Sequence, residues 1–474
     1  MSRGNVTVIG SGPNGLAAAV AMARRGHPVT VLEARDTIGG GTRTEELTLP
    51  GFLHDVCSAV HPMAVSSPFF RELPLAEHGL TWVHPPVLAA HPFDDGSAAV
   101  LMRSTADTGA SLGVDARAYQ ALMDPFVENW QAIFQHGMGP PLRLPRHPVT
   151  LARFGALGVR SALGLAHSRF EGPRARALLV GICAHVLLPM NRSPSAAFGL
   201  MLALAGHGAG WPIPRGGSRA ITDALARLLR THGGSIETGV EVRDIDVHPA
   251  RRAAITFMDL TPRQVLAVAG HRLPGRYRRH LERFRYAPGV FKMDWALSEP
   301  IPWTADACRR AGTLHLGGSA EAIARSSDAA WRGEHAAEPL VILAQPTLFD
   351  PSRAPAGRHV AWAYCHVPHG STRDMTRAVE RQVERFAPGF RDIVLARSTR
   401  DTRQMEAHNP NLVGGDISGG AQDLTQLLFR PAPRLDPYAT PVDGLYICSA
   451  STPPGGGVHG MCGYHAARSA LRRL

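Results

Sequence analysis

Three glycines close to the N-terminus have the spacing of a site that holds a pyrophosphate. Gly10, Gly12 and Gly15 form a G-x-G-x-x-G pattern immediately after the apolar run Val6–Ile9. In such a pattern the glycines allow a tight turn, a close approach of the backbone to pyrophosphate, and close packing of a helix on a strand. Glu33 lies roughly 20 residues beyond the loop, where a carboxylate can accept hydrogen bonds from a ribose. The spacing therefore predicts a dinucleotide-binding site.

Two further glycine clusters indicate a cofactor longer than a nicotinamide dinucleotide. Gly39, Gly40 and Gly41 follow the acid, where the second half of a larger cofactor would continue past the pyrophosphate. Residues 455–457 form another glycine-rich loop, which leads into a helix predicted for residues 464–474. A helix N-terminus favours an anion, and a flavin gains negative charge around N1 and C2=O when it accepts a hydride. We therefore predict FAD, with its ADP half on the first loop and its isoalloxazine against the last.

The elements that position these loops are predicted from hydrophobic patterns. Residues 6–32 have the order strand, helix, strand of a βαβ unit. Residues 214–242 contain a helix that ends at a glycine pair and then strand-like residues. This pattern predicts a second βαβ-like unit, in which the chain comes back to the nucleotide-binding domain and the backbone of Val242 lies beside the nucleotide.

The middle of the chain has a different character. From about residue 67 to residue 206, helical patterns rich in Ala, Leu and Arg dominate, and residues 151–204 are especially apolar, with few charges on any face. Helices of this kind are buried or line a hydrophobic cavity. Residues 253–420 show mixed strand and helix patterns, including a strand predicted for residues 253–258 and assigned to a substrate domain.

The predicted fold class is α/β: a discontinuous Rossmann-type FAD-binding domain with an interleaved α+β substrate domain. The predicted FAD-binding domain consists of residues 1–75, 208–250 and 426–474. The predicted substrate domain consists of a mainly helical part, residues 76–207, and a mixed sheet and helix part, residues 251–425.

Composition and motifs argue against a nucleic-acid partner. The chain has 474 residues and a formal net charge of +11, but Lys292 is its only lysine. Such a preference for arginine over lysine is typical of proteins encoded by GC-rich genomes, whose codons favour arginine. Because no nucleic-acid-binding motif accompanies the charge, we predict no nucleic-acid partner, whereas contact with an anionic membrane surface stays open. The oligomeric state is not determined by these patterns.

The cysteines and the hydrophobic stretches favour a cytoplasmic protein, with membrane-surface association as the open alternative. None of the six cysteines falls in a C-x-x-C pair, so neither a zinc ribbon nor a dithiol motif is predicted, and no metal site is expected. The first strand begins within five residues of the N-terminus, which argues against a signal peptide. The most hydrophobic stretch, residues 177–190, is too short to span a bilayer.

Four segments carry a resemblance to a known family. VTVIGSGPNGLAAAVAMARRGHPVTVLEA, IGGGTRTEEL, IPRGGSRAITDALARLL and LYICSASTPPGGGVHGMCGYHAA occur in this order and span residues 6–467. In these segments the chain resembles the phytoene desaturase-like branch of the FAD-dependent amine oxidase superfamily, and within it the pyridine nucleotide-disulphide oxidoreductase domain-containing group. No cysteine pair here supports the disulphide chemistry of that group's name.

The resemblance implies non-covalent FAD in a discontinuous domain and a second domain that walls a hydrophobic tunnel. It implies that Gly10, Gly12 and Gly15 hold the pyrophosphate and Glu33 the ribose, that Arg43 approaches the phosphates or ribityl chain, that the Val242 backbone approaches the adenine, and that Gly456, Gly457, Val458 and Met461 face the flavin ring. The other cofactor-binding residues predicted from the same motifs are Pro13, Asn14, Ala34, Arg35, Gly40, Gly41, Thr42, Ser449, Ala450 and His459.

The predicted function is that of an FAD-dependent dehydrogenase or desaturase. It takes a hydride from a C–H bond of a largely hydrophobic small molecule, and oxygen or a quinone reoxidises the flavin. His61 and His459 are the predicted catalytic residues, because histidine can orient a substrate or relay a proton near neutral pH. The alternatives are a redox-neutral flavin isomerase, an amine oxidase, and a non-catalytic prenyl- or lipid-binding protein of the Rab-escort type.

Overall fold

The structure, a computed structural model, describes residues 4–247 and 253–474. This part of the chain contains a five-stranded sheet, a seven-stranded sheet, two sheets of two strands each, and the helices around them. In this part the strands are β1 (Val6–Ile9), β2 (Val29–Leu32), β3 (Thr44–Glu46), β4 (Leu53–Asp55), β5 (Trp82–Val83), β6 (Val87–Pro92), β7 (Ala98–Leu101), β8 (Ile213–Pro214), β9 (Ser235–Glu237), β10 (Ile255–Met258), β11 (Gly289–Leu297), β12 (Ala311–Leu316), β13 (Val341–Ala344), β14 (His359–Val367), β15 (Val394–Arg400) and β16 (Leu445–Ile447). The α-helices are α1 (Pro13–Ala23), α2 (Pro62–Val65), α3 (Pro68–Arg71), α4 (Thr105–Ala110), α5 (Ala116–Val127), α6 (Trp130–Gly137), α7 (Pro148–Gly158), α8 (Ala162–Arg169), α9 (Pro173–Cys183), α10 (Ser195–Gly208), α11 (Arg219–Thr231), α12 (Pro262–Ala269), α13 (Gly275–Glu282), α14 (Ala320–Trp331), α15 (Thr376–Phe386), α16 (Thr402–His408), α17 (Leu424–Phe429) and α18 (Met461–Leu471).

The smaller sheet is the Rossmann-type sheet that the N-terminal motif predicts. It has five parallel strands in the order β16-β10-β1-β2-β9. Four of its strands, β1, β2, β10 and β16, are mostly apolar and buried, as is usual for parallel sheets covered on both faces, whereas β9 is a largely exposed edge strand. The Ala-rich helix α1 is buried along almost its whole length and packs against α11 and α18. The predicted α/β fold class is confirmed.

The larger sheet has seven strands in the order β15-β11-β14-β13-β12-β6-β7, and only the β12–β6 pair in it is parallel. Helix α9 packs against β6 and β7 of this sheet and against α10, which also contacts α2. Helix α10 is apolar on nearly every face and mostly buried, as its sequence predicts.

The structure corrects the assignment of one strand. Residues 253–258 were expected in the substrate domain, but β10 pairs in parallel with β1, with Val6 opposite Ile255. Val265 and Leu273 then pack with Met258 in the same small core. The nucleotide-binding part therefore continues through α13. The predicted boundary between residues 250 and 251 lies outside the described residues.

Within the described residues, no single helix is long and apolar enough to cross a membrane. One pair, α7 and α8, meets the length and composition criteria jointly, but the two helices are bent by 104° relative to each other.

Candidate functional site

One cavity of about 600 Å³ connects the nucleotide-binding loops to an apolar end, a size ordinary for small-molecule sites. Most of the predicted site residues line it: Gly10, Gly12, Pro13, Asn14, Glu33, Ala34, Arg35, Gly40, Gly41, Arg43, His61, Val242, Ser449, Ala450, Gly456, Gly457 and Val458. Four predicted residues do not line it, namely Gly15, Thr42, His459 and Met461. The chain thus brings three distant glycine-rich segments to one wall.

The glycines of the N-terminal loop lie so close to neighbouring atoms that larger residues would not fit in their place. Gly10 has a φ of +100°, and a Cβ on Gly15 would lie 2.1 Å from the Gly10 carbonyl oxygen. Gly15 therefore closes the turn from behind instead of facing the cavity. A Cβ on Gly40 would lie 3.1 Å from the Gly12 Cα, so the first and second glycine clusters touch. The resulting cradle exposes backbone at the start of α1, where an anion is favoured.

Glu33 directly follows β2, and both oxygens of its carboxylate already accept hydrogen bonds from protein donors. Its Oε2 accepts hydrogen bonds from the Ser11 N–H at 3.0 Å and the Ser11 hydroxyl at 2.6 Å. Its Oε1 accepts from the Arg35 N–H and from Arg43 Nη2, both at 3.0 Å. A carboxylate has about four acceptor positions, so a ribose hydroxyl would compete with these donors. Glu33 also braces the loop, a role that its spacing alone did not indicate.

Arg43 and Thr42 are both fixed by hydrogen bonds to neighbouring protein groups, but only Arg43 lines the cavity. Besides Glu33, Arg43 Nη2 donates to the Thr37 carbonyl oxygen at 2.8 Å, and burial lowers the pKa of the guanidinium. The Thr42 hydroxyl donates to the Gly39 carbonyl oxygen at 2.8 Å and lies 3.2 Å from the Thr222 hydroxyl. Thr42 therefore fixes the second glycine cluster from behind.

Asp259, which sequence reasoning missed, adds a second carboxylate to this wall. It directly follows β10, and its Oδ2 accepts the Gly15 N–H at 3.0 Å. A Cβ on Gly12 would lie 2.6 Å from the same oxygen. Burial is the main reason that the pKa of Asp259 rises to about 7, with the charge of Glu33 adding to the effect. Asp259 can therefore stay protonated beside an anion at neutral pH.

The C-terminal loop is attached to the same sheet at the end of β16. The Cys448 N–H donates to the Met258 carbonyl oxygen at 2.9 Å, and the Ser449 hydroxyl donates to that of Leu260 at 2.7 Å. Helix α18 begins at Met461, which is buried and follows Gly460 in the left-handed region with φ of +66°. The loop residues 456–458 thus form a cavity wall that continues into a helix N-terminus.

His459 occupies a different place from the one that we predict. Its Nδ1 accepts the Met461 N–H at 3.0 Å, and burial lowers its pKa to about 4. It lies behind the loop, where a Cβ on Gly457 would be 3.1 Å from its ring. It lines a smaller cavity of about 150 Å³ beside the main one. Its contacts are those of a residue that shapes the loop.

His61 does lie in the wall of the main cavity. Its Nε2 is 2.8 Å from the Ser218 hydroxyl, whose proton is donated to the Ser58 carbonyl oxygen at 2.6 Å. Nε2 must therefore carry the imidazole proton, which leaves a lone pair on Nδ1. Burial lowers the pKa of His61 to about 4, so it is neutral at pH 7.

The far end of the cavity is aromatic and aliphatic. Helix α10 supplies two of the side chains and strands of the larger sheet supply others; the apolar lining comprises Met63, Phe198, Leu202, Trp211, Ile342, Trp362 and Tyr364. One polar ring, His185, joins them, and its Nε2 lies 2.8 Å from Nε2 of His315. Burial lowers the pKa of His185 to about 3. This end suits a largely apolar molecule.

Lys292 lies just behind this end and is a second residue that sequence reasoning left without a role. It stands on β11, is fully buried, and forms a short ion pair with Asp294. Its Nζ is 5.6 Å from the centre of the Trp362 ring. Burial lowers the pKa of Lys292, while the charge of Asp294 opposes that shift. The signal was available, because a sole lysine within an apolar strand among many arginines is unusual.

Comparison with known proteins agrees with this geometry. The family model described as flavin containing amine oxidoreductase matches residues 14–471. The mouse pyridine nucleotide-disulfide oxidoreductase domain-containing protein 2 is 26% identical, over 99% of this chain and 94% of that protein. The neurosporene-forming phytoene desaturase of Rhodobacter capsulatus is 25% identical, over 97% and 92%. The crystal structure of an oxidoreductase from Methanosarcina mazei has a TM-score of 0.67 at 17% identity, over 99% of this chain and 100% of that one.

Proposed function

The chain belongs to the family of flavin containing amine oxidoreductases, and from this membership we propose an FAD-dependent dehydrogenase or desaturase of a largely hydrophobic small molecule. The predicted resemblance to the phytoene desaturase-like branch is confirmed by the relatives, and with it the class of flavin-dependent oxidoreductase. One observation carries the finer proposal: a single cavity joins nucleotide-binding loops at one end to an aromatic and aliphatic end at the other.

Non-covalent FAD is the form of flavin that the residues of the cavity fit best. The cradle made by Gly10, Gly12 and Gly40 leaves room only for backbone, which suits a pyrophosphate. Cys448 and Cys462 do not line the main cavity. Cys57 does, but burial raises the pKa of its thiol to about 11, and a protonated thiol is a poor nucleophile. A covalent thioether to the flavin is therefore disfavoured.

The residues of the other end orient the substrate and exclude water. When bound, the flavin supplies a hydride acceptor at its N5 atom. His61 is neutral and has a free lone pair on Nδ1, so it orients a ligand as a hydrogen-bond acceptor and is too weak a base to hold a proton at pH 7. His459 shapes the loop from behind. Trp362, Tyr364 and Trp211 surround the apolar part of the ligand.

Anaerobic mixing with apolar candidate substrates tests this function. We expect the flavin absorbance to bleach and the product to lack two hydrogen atoms, with colour returning on addition of oxygen or a quinone. A product of the same mass as the substrate would favour the redox-neutral isomerase instead. Bleaching by primary amines alone, with release of an aldehyde or ketone, would favour an amine oxidase.

We also propose that residues 139–160 contact an anionic membrane surface, from which a hydrophobic substrate could be taken. Residues 129–170 contain five arginines and no aspartate or glutamate. Leu142, Leu144 and Val149 are exposed in this segment, at 65%, 95% and 64%. The preceding residue pair 137–138 lines the smaller cavity, which shares Phe198 and Gly456 with the main one. Exposed aliphatic side chains next to arginines match an anionic lipid surface.

Flotation of the protein with lipid vesicles tests this contact. We expect binding to vesicles that contain phosphatidylglycerol, weaker binding in high salt, and little binding to pure phosphatidylcholine. The double variant Arg146→Ser/Arg153→Ser should lose most of the binding, whereas Arg24→Ser/Arg25→Ser, which removes two exposed arginines elsewhere, should retain it. Equal flotation of all three proteins would contradict the proposal.

A further inference from the structure

Arg430 is a fully buried arginine for which the described residues provide no carboxylate within ion-pair distance. It directly follows α17, and its side chain is among the largest that are wholly inaccessible. Its Nη2 donates to the Gly419 carbonyl oxygen at 2.7 Å and its Nε to that of Ser451 at 3.3 Å. Its Nη1 has no hydrogen-bond partner among the described residues. A buried charge with an unpaired donor is costly, so an explanation beyond packing is needed.

The free nitrogen faces the back of the C-terminal loop. A Cβ on Gly455 would lie 2.8 Å from Nη1, and Gly455 has a φ of +113°, so glycine is needed there for both reasons. The next residue, Gly456, lines the main cavity, and so does Gly419, whose carbonyl Arg430 binds. The guanidinium therefore lies directly behind two segments of the cavity wall.

The neighbouring acid does not account for the charge. Asp416 is buried in the same region, but its two oxygens accept hydrogen bonds from the Ser418 N–H and hydroxyl, the Ala287 N–H and the Gly420 N–H. It forms no direct ion pair with Arg430 in the described residues, although the two charges attract each other. The two hydrogen bonds of Arg430 to carbonyl oxygens require N–H donors but not a positive charge. What an amide could not supply is the positive charge.

We propose that Arg430 biases the bound flavin towards its negatively charged reduced form, acting through the loop that it supports. The inference rests on the proposed function, because it requires FAD against this loop. A bound flavin would accept at N5 the hydride of the substrate C–H bond that breaks, while the neighbouring carbon would lose a proton as the C=C bond forms, and the reduced flavin would then carry negative charge around N1 and C2=O. A cation in a buried, low-dielectric setting stabilises that charge. Arg430 acts in addition to the N-terminus of α18 and is a positioning residue, since it touches neither substrate nor flavin.

Sulfite binding and the flavin midpoint potential test this inference without any substrate. The sulfur lone pair of sulfite bonds to flavin N5, and the ring takes up the negative charge, so the affinity reports how well that charge is stabilised. Arg430→Gln keeps donors for the two carbonyls but removes the charge, and Arg430→Lys keeps the charge. Arg434→Met, at an exposed position of the same segment, is the matched control.

We expect Arg430→Gln to weaken sulfite binding by about tenfold or more, which for a two-electron couple corresponds to a fall in midpoint potential of about 30 mV per tenfold. Arg430→Lys should recover most of the difference, and Arg434→Met should match the wild type. Unchanged values in Arg430→Gln, or equal losses in Gln and Lys, would overturn the inference, as would failure of both variants to retain FAD. Absence of FAD from the wild-type protein would overturn the proposed function, and the inference with it.

Discussion

Two buried carboxylates stand beside the N-terminal loop, and their surroundings differ. Glu33 has Arg43 at 3.0 Å, whereas Asp259 has no cation next to it in the described residues and accepts one N–H from Gly15. Burial therefore raises the pKa of Asp259 to about 7. Phosphate charge on the same loop would favour the protonated form still more. Asp259 thus makes the loop sensitive to pH.

The substitution Asp259→Asn should stabilise the protein more at high pH than at low pH. The raised pKa means that the folded wild type keeps a proton which the unfolded chain has lost, so wild-type stability falls as pH rises from about 4 to about 7. Asparagine removes this loss, so the stability gain over the wild type should grow by up to about 4 kcal/mol across that window. Chemical denaturation of both proteins at pH 4 and pH 8 measures it. A difference that does not change with pH would contradict the assignment.

Local sequence was sufficient for some residues of the site and insufficient for others. The loop glycines and Glu33 lie within one βαβ unit, so their spacing alone predicts their meeting. Asp259 is separated from Gly15 by 244 residues, and it reaches the loop only because β10 pairs with β1. The misplacement of His459 has a similar cause: its motif predicts nearness to the flavin, but not on which side of the loop the ring lies.

At the scale of elements, hydrophobic patterns predict whether a segment is a helix or a strand more reliably than they predict which sheet a strand joins. Residues 253–258 are predicted as a strand, yet nothing in their composition distinguishes the five-stranded sheet from the seven-stranded one. The choice is made by long-range pairing with β1 and β16. By contrast, α1 and α10 were predictable as buried helices because they are apolar on all sides.

The contact between α1 and α18 joins the two ends of the chain and depends on one glycine. A Cβ on Gly463 would lie 1.8 Å from the Asn14 carbonyl oxygen, at the start of α1, where the N-terminal loop ends. We expect Gly463→Ala to destabilise the protein by about 3 kcal/mol or more, because the backbones must separate, and to weaken FAD binding. Thermal unfolding with and without added FAD measures both effects.

Gly155 provides the matched control for that substitution. It lies within α7, and a Cβ there would meet nothing within 4 Å. Gly155→Ala should therefore be neutral or stabilise the protein by about 0.5 to 1 kcal/mol, since alanine is the better helix former. If both substitutions had the same effect, close packing of α18 on α1 would not be the cause.

At the scale of the whole molecule, the two large sheets line different parts of one cavity. The five-stranded sheet supplies the loops at its strand ends, and the seven-stranded sheet with α10 supplies the apolar wall. Because the two contributions alternate along the chain, the arrangement was predictable from the order of motifs. The volume and lining of the apolar end were not, since they depend on side chains that strands and helices far apart in sequence bring together.

The visible spectrum of the purified protein, recorded before and after acid precipitation, tests the central claim most directly. We expect a yellow protein with a flavin spectrum, about one FAD per chain, and pigment that stays in the supernatant when the protein precipitates. Pigment retained in the pellet would contradict non-covalent binding. A colourless protein that takes up no added FAD would contradict the proposed function as a whole.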